Sequence, residues 1–186
     1  MRTLNVFNFI TLNGFFQAPG GDISWHRHDG EVSKFSDENS QRGSTLLFGR
    51  VTYQMMAAFW PTEMGKQRAP VTADGMNKSE KIVFSKTLKK ADWQNTTLIK
   101  DDLVTTVRRL KTQEGSPMTI LGSGSIVSQL TEAGLIDTYS FLIDPVALGD
   151  GTPVFKGITN KLDLELTSSH VFKSGIIHVT YTPLKS

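Results

Sequence analysis

The chain has 186 residues, with 20 basic and 18 acidic side chains, a net charge of +2 and no cysteine. That length suits a single domain, residues 1–186, with a core of its own, and the missing thiols exclude a disulfide framework, a thiolate metal site and a cysteine nucleophile. Near-neutral charge excludes a strongly basic nucleic-acid binder, and no apolar run approaches the ~20 residues of a membrane span or forms a signal-peptide core, so a soluble, cytoplasmic protein is expected.

Leu4-Asn5-Val6-Phe7-Asn8-Phe9-Ile10 alternates apolar with polar and predicts a first strand, closed by the turn signal Asn13-Gly14. The following stretch, through Pro19-Gly20-Gly21, is long for a loop in a compact domain; such loops are lids or lack structure. His26-Arg27-His28-Asp29-Gly30-Glu31 gathers imidazoles and carboxylates. Two histidines at i and i+2 without a third ligand read as a solvated loop, so no metal is expected. From about Asp29 the pattern turns helical through Val32, Phe35 and Asn39. Glu31 and Phe35 share a face of that helix. A carboxylate beside an inward-facing aromatic is expected to have a raised pKa, suited to donating a proton; the other reading is an acid at a helix start facing water.

Thr45-Leu46-Leu47-Phe48 predicts a buried strand, closed by Gly49-Arg50, and Val51 to Trp60 predicts a helix ended by Pro61. A glycine where strand gives way to helix leaves backbone donors free for an anion; Arg50 adds a guanidinium and Thr52 a hydroxyl. Lys81 to Ser85 is another strand, whose Ser85-Lys86 end suits an extra phosphate such as that of NADP. A short strand at Thr96 to Ile99 and a helix from Asp101-Asp102 through Leu110 follow.

Ile120-Leu121-Gly122-Ser123-Gly124-Ser125-Ile126 is a second strand-to-helix junction, again fit for a phosphate. It lacks the third glycine of G-x-G-x-x-G, where Val127 stands. Tyr139 to Ile143 reads as a buried strand, and Leu162 to Phe172 with Ile176 to Tyr181 as an antiparallel hairpin; His170 and His178 on it are read as structural. Strand and helix alternate through two-thirds of the chain, so an α/β fold is expected: a mostly parallel mixed sheet with helices on both faces and a C-terminal hairpin.

Several of these segments, in this order, resemble the dihydrofolate-reductase-like fold, and within it the reductase domain at the C-terminus of RibD, the bifunctional riboflavin-biosynthesis protein. The Gly122-Ser123-Gly124 turn, Gly134-Leu135-Ile136-Asp137 and Pro145-Val146-Ala147-Leu148-Gly149-Asp150-Gly151-Thr152-Pro153-Val154-Phe155 are similar to its glycine turn, GL[IV]DE and PVxLGxGxPLF elements. Phe48-Gly49-Arg50-Val51-Thr52-Tyr53 is similar to LGRxTYE, and Leu12-Asn13-Gly14-Phe15 to the SLDGF motif.

The resemblance implies an NADPH-dependent oxidoreductase, a homodimer acting on a small heterocycle such as 5-amino-6-(5-phosphoribosylamino)uracil. The phosphates would lie between Gly49, Arg50, Val51, Thr52 and Gly122, Ser123, Gly124, Ser125, Ile126, with Ser85 and Lys86 toward the 2′-phosphate. Trp25, Glu31 and Phe35 resemble the Trp and acid-x-x-x-Phe pattern of dihydrofolate reductases. This implies Trp25 and Phe35 at the substrate and Glu31 as its acid, with Asn13 standing where the SLDG motif has a catalytic-site aspartate. Three departures matter: Asn13 itself, Thr138 in place of the GLVDE acid, expected at the surface, and the lack of an adjacent glycine pair at Gly122. The deaminase half of RibD, with its H-x-E and paired cysteines, has no counterpart here. Dihydrofolate reduction, and NADPH binding without turnover, stay open as alternatives.

Overall fold

The computed structural model describes residues 1–184. In chain order the strands are β1 (Leu4–Thr11), β2 (Phe15–Gln17), β3 (Thr45–Gly49), β4 (Lys81–Phe84), β5 (Thr96–Ile99), β6 (Met118–Leu121), β7 (Thr138–Asp144), β8 (Thr152–Pro153), β9 (Leu164–Val171) and β10 (Ile177–Pro183). The helices are α1 (Gly30–Gln41), α2 (Arg50–Ala57), α3 (Glu63–Arg68), α4 (Pro70–Lys78), α5 (Leu103–Thr112) and α6 (Gly124–Glu132). Eight strands form one sheet in the order β5-β4-β3-β6-β1-β7-β10-β9. All pairs from β5 to β7 are parallel, and β10 and β9 close the far side antiparallel. The expected mostly parallel sheet and C-terminal hairpin are therefore present.

Strand alternation divides β1 between two environments. Leu4, Val6 and Ile10 join Met118 and Ile120 of β6 in an apolar layer closed by Leu103, Val107 and Leu110 of α5 and Ile126, Val127 and Leu130 of α6. Asn5, Phe7 and Phe9 face the other way, toward α1. On that side two smaller clusters form, one around Phe48, Tyr53 and Trp93, the other around Val32, Leu142, Phe172 and Ile176. Asp29, Thr62 and Asp102 cap α1, α3 and α5 by accepting from Val32, Gly65 and Thr105 amides.

The stretch 63–78 holds two helices that periodicity did not reveal. Its glycines mark close approach: a Cβ on Gly65 would lie 2.4 Å from the Phe59 carbonyl oxygen, and one on Gly75 2.6 Å from that of Ser40 in α1. The predicted helix from Val51 to Trp60 ends earlier, at Ala57. Lys81, inside an apolar strand, is fully buried, and its Nζ donates to the carbonyls of Met76, Asn77 and Ser79 around the C-terminus of α4. The ammonium also sits 4.5 Å from the Trp93 ring centroid. Burial pushes its pKa down to about 8.

Candidate active site

The two glycine junctions, 74 residues apart, meet at the carboxyl ends of β3 and β6, and side chains lace them together. Ser123 Oγ accepts from the Gly49 amide at 3.0 Å and donates to the Leu121 carbonyl. The Ser123 amide donates to Thr52 Oγ1 at 3.0 Å. Asn8 of β1 clamps Gly122 from below, its Oδ1 accepting from the amide and its Nδ2 donating to the carbonyl. Consecutive left-handed residues, Gly122 (φ 57°) and Ser123 (φ 54°), make the turn. A Cβ on Gly122 would lie 2.9 Å from Thr52 Cγ2, and one on Gly124 2.7 Å from the Phe16 ring.

This corrects the expected donor set. The amides of Gly49, Gly122 and Ser123 are already bonded within the protein and have nothing to spare for an anion. What remains is the first turn of α2, Arg50, Val51 and Thr52, and of α6, Gly124 and Ser125. Neither helix has a side-chain cap, unlike α1, α3 and α5. Two adjacent uncapped helix starts are the donor chemistry that a pyrophosphate needs, so a dinucleotide fits here. Ile126 is buried and packs against Gly49. Arg50 is exposed and donates to Gln54, four residues on. Ser85 Oγ accepts from the Thr87 and Leu88 amides in its own turn, leaving exposed Lys86 as the cation of that strand end.

Next to this edge, between the sheet and α1, α2 and α4, lies a cavity of about 510 Å³. Phe7, Phe9 and Phe35 line one side, and Met55, Trp60 and Met76 the other. Its floor carries a row of uncharged polar side chains in register, Thr119, Asn5 and Thr138. Thr138, expected at the surface, thus belongs to the cavity wall. Arg42 and His178 are the titratable groups that line it; none of the lining residues is an aspartate or glutamate.

Of the three substrate-site residues expected from the resemblance, the cavity receives only Phe35. Glu31 points away, its Oε2 accepting from the Lys173 amide at 3.1 Å and its Oε1 pairing with Lys173 Nζ at 3.2 Å. Those bonds hold its pKa below the ordinary carboxylate value, the reverse of the raised value expected. The two share a face of α1 but sit one turn apart along its axis, so the acid meets the hairpin loop while the ring meets the sheet. Trp25 is half-buried outside the cavity and donates from Nε1 to the Asp22 carbonyl. Asn13 is a loop staple. Its Oδ1 accepts from Thr11 Oγ1 and the Leu148 amide, and its Nδ2 donates to the Leu148 carbonyl.

The segment read as a solvated loop hides a buried pair. His26 Nδ1 lies 2.7 Å from Asp144 Oδ2 at the end of β7, with side-chain exposures of 1% and 0%. The imidazole stacks on Phe9 at 3.7 Å, and the Arg27 amide donates to the other Asp144 oxygen. No local pattern marks this pairing, since Asp144 lies 118 residues away. His28 stands edge-on to His26, its pKa lowered mainly by burial and next by His26. Among the described residues no three His, Asp or Glu side chains gather as a metal site, and no helix is long and apolar enough to cross a membrane.

The fold is similar to that of solved structures. A Shewanella sp. PV-4 protein with a provisional riboflavin-biosynthesis description matches at TM-score 0.78 and 21% identity, over 98% of this chain and 99% of that one. A Thermotoga maritima diaminohydroxyphosphoribosylaminopyrimidine deaminase/5-amino-6-(5-phosphoribosylamino)uracil reductase matches at TM-score 0.68 and 13% identity, over 98% of this chain and 57% of that one. In sequence, the uncharacterized protein YyaP of Bacillus subtilis (strain 168) is 27% identical over 172 residues, 92% of this chain and 90% of that protein. The family model described as the RibD C-terminal domain matches residues 2–178. With that match spanning nearly the whole chain, the chain belongs to the RibD C-terminal domain family.

Proposed function

We propose that this protein is an NADPH-dependent reductase of a pyrimidinedione-type heterocycle, of which 5-amino-6-(5-phosphoribosylamino)uracil is the reference case. One observation carries the choice: an aromatic-lined cavity without any acid opens beside two uncapped helix starts. When bound, the dinucleotide supplies a hydride. The α2 and α6 amides hold its pyrophosphate, and Arg50 and Lys86 favour the 2′-phosphate. Phe7, Phe9 and Phe35 hold a flat ring against the sheet and exclude water, while Asn5, Thr119 and Thr138 offer it neutral hydrogen bonds.

The same observation weighs against dihydrofolate. Its 2-amino-4-oxo edge is an amidine, and a carboxylate is the partner that binds such an edge strongly. With Glu31 turned to Lys173, the cavity has none. Nor does Asn13 argue for a binder without turnover, because its side chain is spent on Leu148 and does not line the cavity.

NADPH and NADH titrations, followed by turnover of the ribosylaminopyrimidine and of dihydrofolate, test this reading. NADPH is expected to bind more tightly, with Arg50→Ala and Lys86→Ala weakening NADPH more than NADH. Equal losses for both cofactors would refute the phosphate assignment, and faster reduction of dihydrofolate would refute the substrate class.

A further inference from the structure

His178 of β10 and Ser140 of β7 both line the cavity, and Ser140 Oγ lies 2.8 Å from His178 Nε2. Phe35 of α1 covers the imidazole, with ring centroids 4.6 Å apart. Because Ser140 occupies Nε2, Nδ1 is the nitrogen left for a ligand; it has no protein partner among the described residues, and unlike His26 Nε2 it is not sealed from solvent. The charged groups acting on this ring are basic. His170 stands opposite it in register on β9, and Arg42 closes α1. Burial first, then these two, lower its pKa from 6.5.

Reduction of a C=O or C=N bond places a hydride on carbon and requires a proton on the heteroatom that keeps the electron pair. The cavity lining holds no carboxylic acid, lysine or tyrosine, and an arginine does not give up its proton. We propose that His178, oriented by Ser140, donates that proton to the heteroatom of the bond being reduced in the bound substrate. This inference rests on the reductase reading. As the heteroatom–hydrogen bond forms, the imidazolium N–H bond breaks, leaving a neutral ring that takes its next proton from solvent. Ser140 adapts to both states, since its hydroxyl can accept from Nε2–H in one and donate to Nε2 in the other. His170 and Arg42 make the imidazolium a stronger acid, and an electron-rich carbonyl edge drawn toward Arg42 stabilises it when substrate is present.

Two measurements decide the matter, one of them independent of turnover. The Cε1–H resonance of His178, assigned by its loss in His178→Gln, is followed against pH with and without millimolar lumazine, a pteridinedione with no amidine edge. An upward move of the titration midpoint with lumazine is expected, and an unmoved midpoint overturns the proposal. In turnover, His178→Gln is expected to lower kcat by about 100-fold with little change in KM, and to abolish the fall in rate above the His178 midpoint. Ser140→Ala, which leaves the imidazole in place, is expected to lower kcat less and keep the pH limb. Wild-type turnover with an unchanged rate and pH profile in His178→Gln overturns the role of His178 and leaves the reductase intact. If wild type reduces no dione at all, the reductase reading falls, and the proton transfer proposed here falls with it.

Discussion

The two faces of the central sheet use the same strands to opposite ends. Behind it, Leu4, Val6, Met118 and Ile120 meet α5 and α6 in an apolar layer, all four fully buried. In front, Asn5, Phe7 and Phe9 stay half-covered because α1, α2 and α4 stand off far enough to leave the cavity. The larger apolar cluster lies on one side, and the other side is held open at some cost in packing. Because side chains alternate along each strand, a single run of residues serves both ends.

The largest expected effect tests the closed face. Leu130→Ala should lose about 2–5 kcal/mol in urea denaturation, the range for emptying a packed core position. Phe35→Ala, on the open face, should cost clearly less while weakening substrate binding. Equal losses would mean that the cavity side carries the fold as well.

Lys81 sits among the front clusters and deepens the contrast, for here a charge is buried for structure alone. Lys81→Met should lose about 2 kcal/mol by stranding carbonyls at the end of α4. With its folded pKa down at about 8, the unfolded chain binds this proton more tightly. Wild-type stability relative to Lys81→Met should therefore rise as pH climbs from about 8 toward 10.5, which paired thermal melts measure.

Gly122→Ala probes the seam between the faces. It combines a left-handed backbone with a clash against Thr52, and about 1–3 kcal/mol should be lost along with NADPH affinity. Gly134→Ala, equally left-handed (φ 63°) but with open space around it, should lose only the backbone part and leave the affinity alone. Matching losses in both variants would dismiss the close approach to Thr52.

Glu31→Gln should do least. Turnover should hold and the melting temperature fall slightly, because the carboxylate serves only the Lys173 contact. With its pKa lowered in the folded state, that contribution exists above the ordinary carboxylate range and fades as pH falls through the folded value. A large rate loss at neutral pH would return the acid to the active site.

Features set by short-range pattern could be read from the chain. Alternation in Leu4 to Ile10, the helix starts at Asp29 and Asp102 and the glycines where β3 and β6 give way to helix are local signals, and the elements stand where those signals put them. The candidate site is readable at such junctions and, through the resemblance, at Phe35. Glu31 was misplaced because helical spacing fixes which residues share a stripe and says nothing of what faces the stripe; Lys173 is 142 residues away. Asp144 beside His26, Asn8 beneath Gly122 and Ser140 against His178 are likewise products of strand order. An asparagine in mid-strand at position 8 and a lone lysine in an apolar strand at 81 were the available hints, since a polar group in such a place needs a partner.

The bond from the Gly49 amide to Ser123 Oγ would tie folding to occupancy by an anion held at both helix starts. Neither helix start forms a paired anion site alone, and β3 and β6 become neighbours only when the sheet is assembled across 74 residues of chain. An anion bridging both would bind the finished sheet and ignore every partly folded form. Its whole binding energy would then add to global stability, growing with the logarithm of its concentration. Cofactor supply would thus set how long each copy of the protein survives unfolding, apart from how fast it works.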